Sequence, residues 1–331
     1  MEPVVRVEGL KKYFPVWTGL SALLSRERKY VRAVDGVSFA VNREEILGLA
    51  GESGCGKTTT GRLILRLVEP TAGHVYFDGV DVFSLGRREL KAFRRKAQMI
   101  FQDPYGSLNP RRTVAETIGQ AIDIHKLAGS REERMELIYR ALEEVELKPV
   151  EEFIGKFPHM LSGGQRQRLA IARALVLRPK FIVADEPVSM LDVSVRAGIL
   201  RLLLKLREEN HISFLYITHD LATARHICDR IAIMYLGKIM ELTDTETLVK
   251  RPLHPYTMAL LKAVPVPDPE KKVEDIPIRG EVPLSPIDLP PGCRFHPRCP
   301  YAEDICRKAE PEMVELERGH YVACHLAERF L

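Results

Sequence analysis

Nine residues near the start of the chain have the types and spacing of a phosphate-binding loop: Gly51, Glu52, Ser53, Gly54, Cys55, Gly56, Lys57, Thr58 and Thr59. An apolar run from Glu45 to Ala50 precedes them and Gly61 to Leu65 follows, which predicts a buried strand and a helix on the two sides. Glycines let successive N–H groups point into one concavity, and the helix adds its positive end. Lys57 then reaches the β- and γ-phosphates and the Thr58 hydroxyl binds Mg²⁺, so the loop predicts a nucleoside triphosphate site.

Polar side chains also follow two predicted buried strands further along the chain. Asp185 and Glu186 come directly after the run Phe181 to Ala184, and Gln102 comes after the run Ala97 to Phe101. Asp185 can hold Mg²⁺ through water, and Glu186 can orient or deprotonate a hydrolytic water. The Gln102 amide can touch both, because strand ends of α/β sheets form the ligand-binding edge.

A second glycine-rich loop precedes a predicted helix over residues 166–176. It contains Ser162, Gly163, Gly164 and Gln165, and a helix N-terminus of this kind binds anions. One nucleotide needs one such loop, so we interpret the second as facing the γ-phosphate held by another chain. His219, which follows the buried strand Ile212 to Thr218, can donate a hydrogen bond to the same phosphate.

The elements around these loops are predicted from hydrophobic periodicity. Val4 to Leu10 and Val37 to Val41 alternate like half-buried strands. Between them the ring of Phe14, or of Tyr13, either stacks on an adenine or packs on the strand pair. His74 to Gly79 is predicted as an edge strand with a turn.

Residues 113–147 are predicted to be helical, with a capping box between Ser130 and Glu133. An apolar stripe of Met135, Ile138, Leu142 and Val145 follows it, and this helical insertion, about residues 103–165, suggests a subdomain. Residues 193–209 predict an amphipathic helix after Asp192, and residues 231–242 predict a hairpin that turns near Gly237.

Composition limits the class of protein. With 331 residues, 45% hydrophobic and 28% charged, the chain is expected to be soluble, with two or three domains. It has no run of eighteen apolar residues and no signal-peptide pattern at its start, which predicts a cytoplasmic location. The net charge of +4 is slight. We interpret the basic clusters at residues 26–32 and 87–96 as solvated faces and not as nucleic-acid or lipid sites.

A proline-rich stretch begins at Arg251, and it places a predicted domain boundary near residue 250. Four of the six cysteines crowd into this tail at positions 293, 299, 306 and 324. In a reducing compartment such crowding favours a metal site over disulfides. Thiolates bind iron or zinc, although the C-x2-C pairs typical of structural zinc are absent.

Taken in order, the P-loop, Gln102, the Leu-Ser-Gly-Gly-Gln loop, Asp185-Glu186 and His219 resemble the nucleotide-binding subunit of an ATP-binding cassette (ABC) transporter over residues 1–250. The resemblance implies an α/β fold with a P-loop NTPase core, an antiparallel β subdomain, a helical subdomain and a small Cys/Pro-rich C-terminal domain at 251–331. It implies an ATPase that uses Mg²⁺. It implies that Thr58, Gln102 and Asp185 bind Mg²⁺, that Glu186 is the catalytic carboxylate and that His219 senses the γ-phosphate. It also implies that Ser162 to Gln165 contact the partner's ATP and that Asp192 belongs to the D-loop. Phe14, or alternatively Tyr13, is implied to stack on adenine.

The segments Phe101 to Pro110, Tyr235 to Lys238 and His254 to Thr257, with the cysteine tail, resemble the oligopeptide/dipeptide importer branch. The insertion between Pro15 and Tyr30 is similar to the F-type ATPase of its D/F pair. Met190, where Ala is usual, and Thr58, where Ser is commoner, remove no functional group. Some members of this branch carry a [4Fe–4S] cluster on a similar tail, which the resemblance implies for Cys293, Cys299, Cys306 and Cys324; zinc or free thiols stay open.

The implied partners are a second ABC ATPase, two transmembrane permeases and, indirectly, an extracellular substrate-binding protein, with the chain peripheral on the cytoplasmic face of the membrane and no nucleic acid. A heterodimer is favoured and a homodimer stays open. Oligosaccharide or nickel are alternative cargoes. A soluble ABC ATPase acting on DNA or ribosomes usually has two cassettes or a long coiled coil, and this sequence has neither; an exporter or lipid-handling ATPase is disfavoured by the importer-like tail.

Overall fold

Residues 2–16, 29–264, 278, 280 and 287–331 are described by a computed structural model, and the predicted insertion from Pro15 to Tyr30 lies largely outside these residues. The chain divides into two units. Ser84–Tyr216 with Val41–Glu45 makes up most of the first, and Val5–Ala40, Ile46–Phe83 and Ile217–Leu331 make up the second. None of the helices in the described residues has the length and apolar character that a membrane crossing requires.

The first unit combines parallel strands with a group of helices. Its elements are α2 (Arg87–Lys96), β6 (Ala97–Ile100), α3 (Pro104–Ser107), α4 (Val114–His125), α5 (Arg131–Glu144), α6 (Gly163–Leu175), β7 (Phe181–Asp185), α7 (Val193–Asn210) and β8 (Ser213–Thr218), whose last two residues belong to the second unit. β7 lies between β6 and β8, and β6 runs parallel to it with Ile100 opposite Ala184. All five residues of β7 are buried, as expected of a strand covered on both faces.

The residues predicted to form a helical subdomain contain α3, α4 and α5, and α4 and α5 pack against each other and against α6. Ile138, Leu142 and Val145 of the predicted stripe are fully buried. The basic helix α2 exposes its charged side chains and buries Phe93, which agrees with a solvated face.

The predicted capping box at Ser130 is only half formed. Ser130 accepts a hydrogen bond from the Glu133 N–H at 3.1 Å, but the Glu133 carboxylate accepts from the N–H of Gly129 instead of closing the box on Ser130. A complete box forms at the start of α4, where Thr113 and Glu116 bond each other's backbone N–H groups.

The second unit holds two sheets with helices. Its elements are β1 (Val5–Pro15), β2 (Tyr30–Val41), β3 (Ile46–Ala50), α1 (Lys57–Ile64), β4 (Ala72–Phe77), β5 (Val80–Asp81), α8 (Leu221–Ile227), β9 (Arg230–Tyr235), β10 (Lys238–Asp244), α9 (Thr245–Lys250), α10 (Pro255–Lys262), α11 (Asp304–Lys308), β11 (Val314–Glu317) and β12 (His320–Val322). One sheet has the order β2-β1-β4-β5. The predicted edge position of residues 74–79 is therefore wrong, because the two-residue strand β5 covers β4 from outside.

The other strands of the second unit follow the order β11-β12-β10-β9-β3. β3 is fully buried and parallel to β9, and β9 and β10 form the predicted hairpin through Gly237. The C-terminal strand β12 pairs antiparallel with β10, with Glu241 opposite Val322. The tail thus extends the sheet that carries the P-loop strand.

Candidate functional site

The P-loop runs from the end of β3 to the first turn of α1, as the sequence predicts. Gly51 and Gly56 have backbone φ angles of 153° and 110°, which residues with side chains rarely adopt. A Cβ atom would lie 2.1 Å from the carbonyl oxygen of Met234 at Gly51 and 2.1 Å from that of Ala33 at Gly56. The close approach of these backbone segments therefore requires glycine at both positions.

Lys57 is the first residue of α1 and is 5% exposed. Its ammonium group donates to the carbonyl oxygens of Gly51 at 2.7 Å and Glu52 at 2.9 Å. The pKa of the Cys55 thiol is raised by burial, with the Lys57 charge opposing that shift. The loop thus curls around one buried cation, while Ser53 and Gly54 are exposed at its tip.

In the first unit, parallel pairing brings Gln102 and Glu186 together. Because Ile100 lies opposite Ala184, the residues after both strands emerge at the same edge. The Gln102 Nε2 donates to Glu186 Oε2 at 3.0 Å. Asp185, the last residue of β7, directly precedes Glu186 in the sequence and is 2% exposed, so its carboxylate is buried.

Glu186 has a φ of 45°, an uncommon value for a residue with a side chain. The following turn holds it there, since the N–H and hydroxyl of Ser189 both donate to its carbonyl oxygen, at 3.2 and 3.0 Å. Such backbone strain persists where the surrounding structure imposes it, and it clusters at functional sites.

The second glycine-rich loop forms the start of α6, three residues earlier than predicted. Ser162 and Gln165 form a reciprocal capping box, with N–H to side-chain distances of 3.3 and 3.0 Å. A Cβ atom on Gly164 would meet Val195 of α7 at 2.5 Å, so glycine allows the two helices to approach. Asp192 is the exposed N-cap residue of α7.

Three further predicted residues lie in the second unit. His219 is exposed between β8 and α8, and Asp220 beside it caps α8 by accepting from Ala222 at 2.9 Å. The Tyr13 hydroxyl donates to the Asp35 carboxylate. Burial, and to a smaller extent this carboxylate, raises the pKa of Tyr13 to about 12. The Phe14 ring is exposed, with the Lys12 ammonium 5.0 Å from its centroid.

Sequence patterns did not identify several P-loop contacts that come from the tail. Arg298 forms two hydrogen bonds to the Glu52 carboxylate, at 2.9 and 3.0 Å, and the Tyr256 hydroxyl accepts the Glu52 N–H at 3.1 Å. Outside the P-loop, Arg294 of the tail pairs with Asp35 of β2, which is 7% exposed. One feature of the sequence could have indicated these contacts. Glu52 is an acidic residue inside a predicted phosphate-binding loop, where its charge needs a cationic neighbour.

Two of the four tail cysteines, Cys293 and Cys324, have raised pKa values. Burial raises the pKa of Cys293 to about 11 and that of Cys324 to about 12, and the other tail cysteines act in the same direction. Cys293 also donates its N–H to the carbonyl of Cys306 at 2.8 Å. Within the described ranges, however, no group of three or more His, Cys, Asp or Glu side chains is placed to hold a metal ion.

Comparison with known proteins agrees with these features. A sequence model described as ABC transporter matches residues 34–189, and one described as oligopeptide/dipeptide transporter, C-terminal region, matches residues 240–306. The putative oligopeptide transport ATP-binding protein YkfD of Bacillus subtilis is 49% identical and covers 98% of this chain and 95% of its own length. The oligopeptide transport ATP-binding protein AppF of the same organism is 48% identical and covers 98% of each chain.

Among solved structures, the ATP-binding cassette MJ0796, in a dimeric post-hydrolysis state bound to ADP and Pi, superposes with a TM-score of 0.63. It is 32% identical and covers 73% of this chain and 98% of its own.

Proposed function

Since this chain belongs to the ABC transporter family, as an ATP-binding protein of its oligopeptide/dipeptide branch, we propose that it hydrolyses ATP to power the import of oligopeptides through membrane permeases. The fold and the ATPase class follow from full-length similarity to curated relatives.

The contact between Gln102 and Glu186 carries the assignment of the hydrolytic step. A carboxylate at the end of a buried strand, oriented by an amide 3.0 Å away, is placed to accept a proton from an attacking water. Glu186 therefore acts as general base, and Gln102 orients it. The two hydrogen bonds from Ser189 to its carbonyl oxygen hold the Glu186 backbone at its positive φ.

The P-loop supplies the phosphate contacts. Backbone N–H groups of residues 51–59 and the Lys57 ammonium bind the phosphates, and His219 contacts the γ-phosphate. Thr58, Gln102 and Asp185 offer the hydroxyl, amide and carboxylate oxygens that Mg²⁺ prefers. Bound there, Mg²⁺ would neutralise phosphate charge. Phe14 stacks on adenine, because its ring is exposed whereas the Tyr13 hydroxyl is bonded to Asp35.

A second ATPase subunit completes each site in this proposal. The start of α6, with Ser162 to Gln165, faces the γ-phosphate held by the partner, and Asp192 lies at the same interface. MJ0796, whose cassettes form a dimer with ADP and Pi, supports this arrangement. Residues 1–250 form the nucleotide-binding domain and 251–331 the C-terminal domain, which together sit on the cytoplasmic face of permeases, with a binding protein delivering cargo.

We test the hydrolytic role with Glu186→Gln. The variant should lose ATP turnover by about 100-fold or more while binding ATP normally, since a glutamine keeps the shape and loses the base. Glu136→Gln, which alters an exposed carboxylate paired with Arg140 on α5, should turn over ATP at the parent rate. Normal turnover by Glu186→Gln would refute the assignment.

Cargo and partners are tested by purifying the chain from native membranes and identifying the proteins that accompany it. Two permeases, a second ATPase and a binding protein that releases peptides would support the proposal. A binding protein loaded with nickel or oligosaccharide would change the proposed cargo and leave the proposed role as a transport ATPase unchanged. Ribosomal or DNA-bound partners without permeases would overturn the transport role.

We further propose that Cys293, Cys299, Cys306 and Cys324 bind a [4Fe–4S] cluster. Sulfur ligands suit iron, and binding would displace the thiol protons that burial favours at Cys293 and Cys324. The side chains as placed do not form a ligand set, so the assignment depends on donor chemistry and no ATPase step uses it. Anaerobic purification followed by iron, sulfide and zinc analysis is the test. Cys299→Ala should lose the iron, and Cys228→Ala, a buried cysteine outside the tail, should keep it; one zinc without sulfide would refute the cluster.

A further inference from the structure

The P-loop contains one acidic residue, Glu52, among nine residues proposed to surround phosphates. Its side chain is 26% exposed, so water screens its charge only in part. A carboxylate inside an anion site repels the ligand unless a cation neutralises it.

The cation is Arg298, which lies 246 residues later in the C-terminal segment. Its two terminal nitrogens donate to the two oxygens of Glu52, at 2.9 and 3.0 Å, in the fork geometry that makes Arg–carboxylate pairs strong. The Arg298 side chain is 9% exposed. Burial lowers the pKa of its guanidinium, but the bonds to Glu52 and Tyr235 outweigh this and raise it.

Aromatic rings hold the guanidinium in place. It lies 5.7 Å from the ring centroid of Tyr235 and 5.9 Å from that of Phe295, within range of cation–π attraction. Tyr235, Tyr256 and Phe295 form one cluster, with centroids 4.7 to 5.5 Å apart. Arg298 therefore has little freedom to leave Glu52.

The same segment also binds the backbone of Glu52. The hydroxyl of Tyr256, a fully buried residue, accepts its N–H at 3.1 Å. The second residue of the P-loop is thus held at its side chain by Arg298 and at its peptide by Tyr256, and both come from beyond residue 250. This pair of contacts fixes the direction of the peptide that opens the loop.

We propose that Arg298 is a positioning residue for the ATP site: it neutralises Glu52 and holds the first turn of the P-loop, so that the C-terminal segment sets the affinity for nucleoside triphosphates. This inference rests on the proposed use of residues 51–59 as the phosphate site. Arg298 acts through Glu52 and need not touch ATP.

The experiment measures Mg-ATP dissociation constants for the full chain by calorimetry. Arg298→Gln keeps a polar side chain but removes the charge, so the unpaired Glu52 carboxylate should repel the phosphates. We expect ATP binding to weaken about tenfold, which corresponds to about 1.4 kcal/mol. The loss should shrink at high salt, which a purely structural defect would not do. AMP, with fewer phosphate charges, should be affected less.

Rescue by a second change separates charge from folding. Glu52→Gln combined with Arg298→Gln should restore ATP affinity to within about twofold of the parent, because the repelling carboxylate is gone. Glu52→Gln alone should bind ATP more tightly than the parent by about threefold, since it leaves Arg298 uncompensated. This single variant decides the question even if Arg298→Gln fails to fold.

Arg251→Gln is the matched control. Arg251 forms a similar two-bond pair with Glu317, at 3.3 and 2.8 Å, in the same unit but at the surface. It should leave ATP affinity unchanged. If Arg298→Gln binds ATP as the parent does, or if Glu52→Gln does not tighten binding, the inference is wrong; if the parent itself does not bind ATP, the proposed function fails instead.

Discussion

Replacing His254 by asparagine should reduce the loss of stability that the second unit suffers as the pH falls. His254 is 1% exposed, and its Nδ1 accepts the N–H of Tyr256 at 3.0 Å to cap α10. Its Nε2 finds no hydrogen-bond partner among the described residues. Burial lowers the pKa of His254 from 6.5 to about 4, and the nearby Glu241 carboxylate opposes the shift.

The sign of the effect follows from proton uptake. As pH falls below 6.5 the unfolded chain protonates this imidazole while the folded chain does not until about pH 4, so the unfolded state binds more protons and stability falls. Between about pH 7 and about pH 4.5 the loss from this one group is about 2 kcal/mol. Below the folded pKa both states are protonated and the loss no longer grows.

Urea-induced unfolding, followed by circular dichroism at the two pH values, measures the effect. His254→Asn keeps a capping oxygen and does not titrate, so it should lose about 2 kcal/mol less than the parent between about pH 7 and 4.5. His226→Asn, at an exposed position on α8, should behave as the parent does. Parallel losses in His254→Asn and the parent would refute the reasoning.

Three other substitutions test the structure. Gly51→Ala, whose Cβ would lie 2.1 Å from the carbonyl oxygen of Met234, should abolish ATP binding measured by calorimetry, whereas Gly155→Ala, with open space around it, should not. Glu241→Ala should destabilise the second unit by about 4 kcal/mol in urea unfolding, because this fully buried carboxylate accepts from two backbone N–H groups and an imidazole. Ser162→Ala should lower the stability of the first unit by about 1 kcal/mol in thermal unfolding, because it removes a helix cap; an unchanged melting temperature would contradict the capping geometry.

Local patterns predicted the parts of the site that depend on local geometry. The P-loop lies between β3 and α1 because an apolar run, glycines and a helix follow one another in the sequence. Gln102 and Glu186 meet because both follow buried parallel strands, which share an edge. In these cases a residue's position relative to its own strand determines where it lies.

Contacts between distant segments were not predictable in the same way. Nothing near Arg298 in the sequence specifies Glu52 as its partner, and nothing near Tyr256 specifies the Glu52 N–H. The edge position of residues 74–79 was wrong because β5 is only two residues long and has no alternating pattern to read. At Ser130 the cap was correct but its reciprocal bond went to Gly129, a choice that depends on the Glu133 rotamer.

The pairing of β12 with β10 has a consequence for solubility. Five of the seven residues of β10 are buried, and β12 occupies one of its two hydrogen-bonding edges. A chain that ended at residue 250 would leave that edge open, an apolar strand with unpaired N–H and C=O groups that invites other strands to add. The C-terminal segment therefore covers this edge and prevents edge-to-edge association of strands. We expect chains shortened at residue 250 to self-associate.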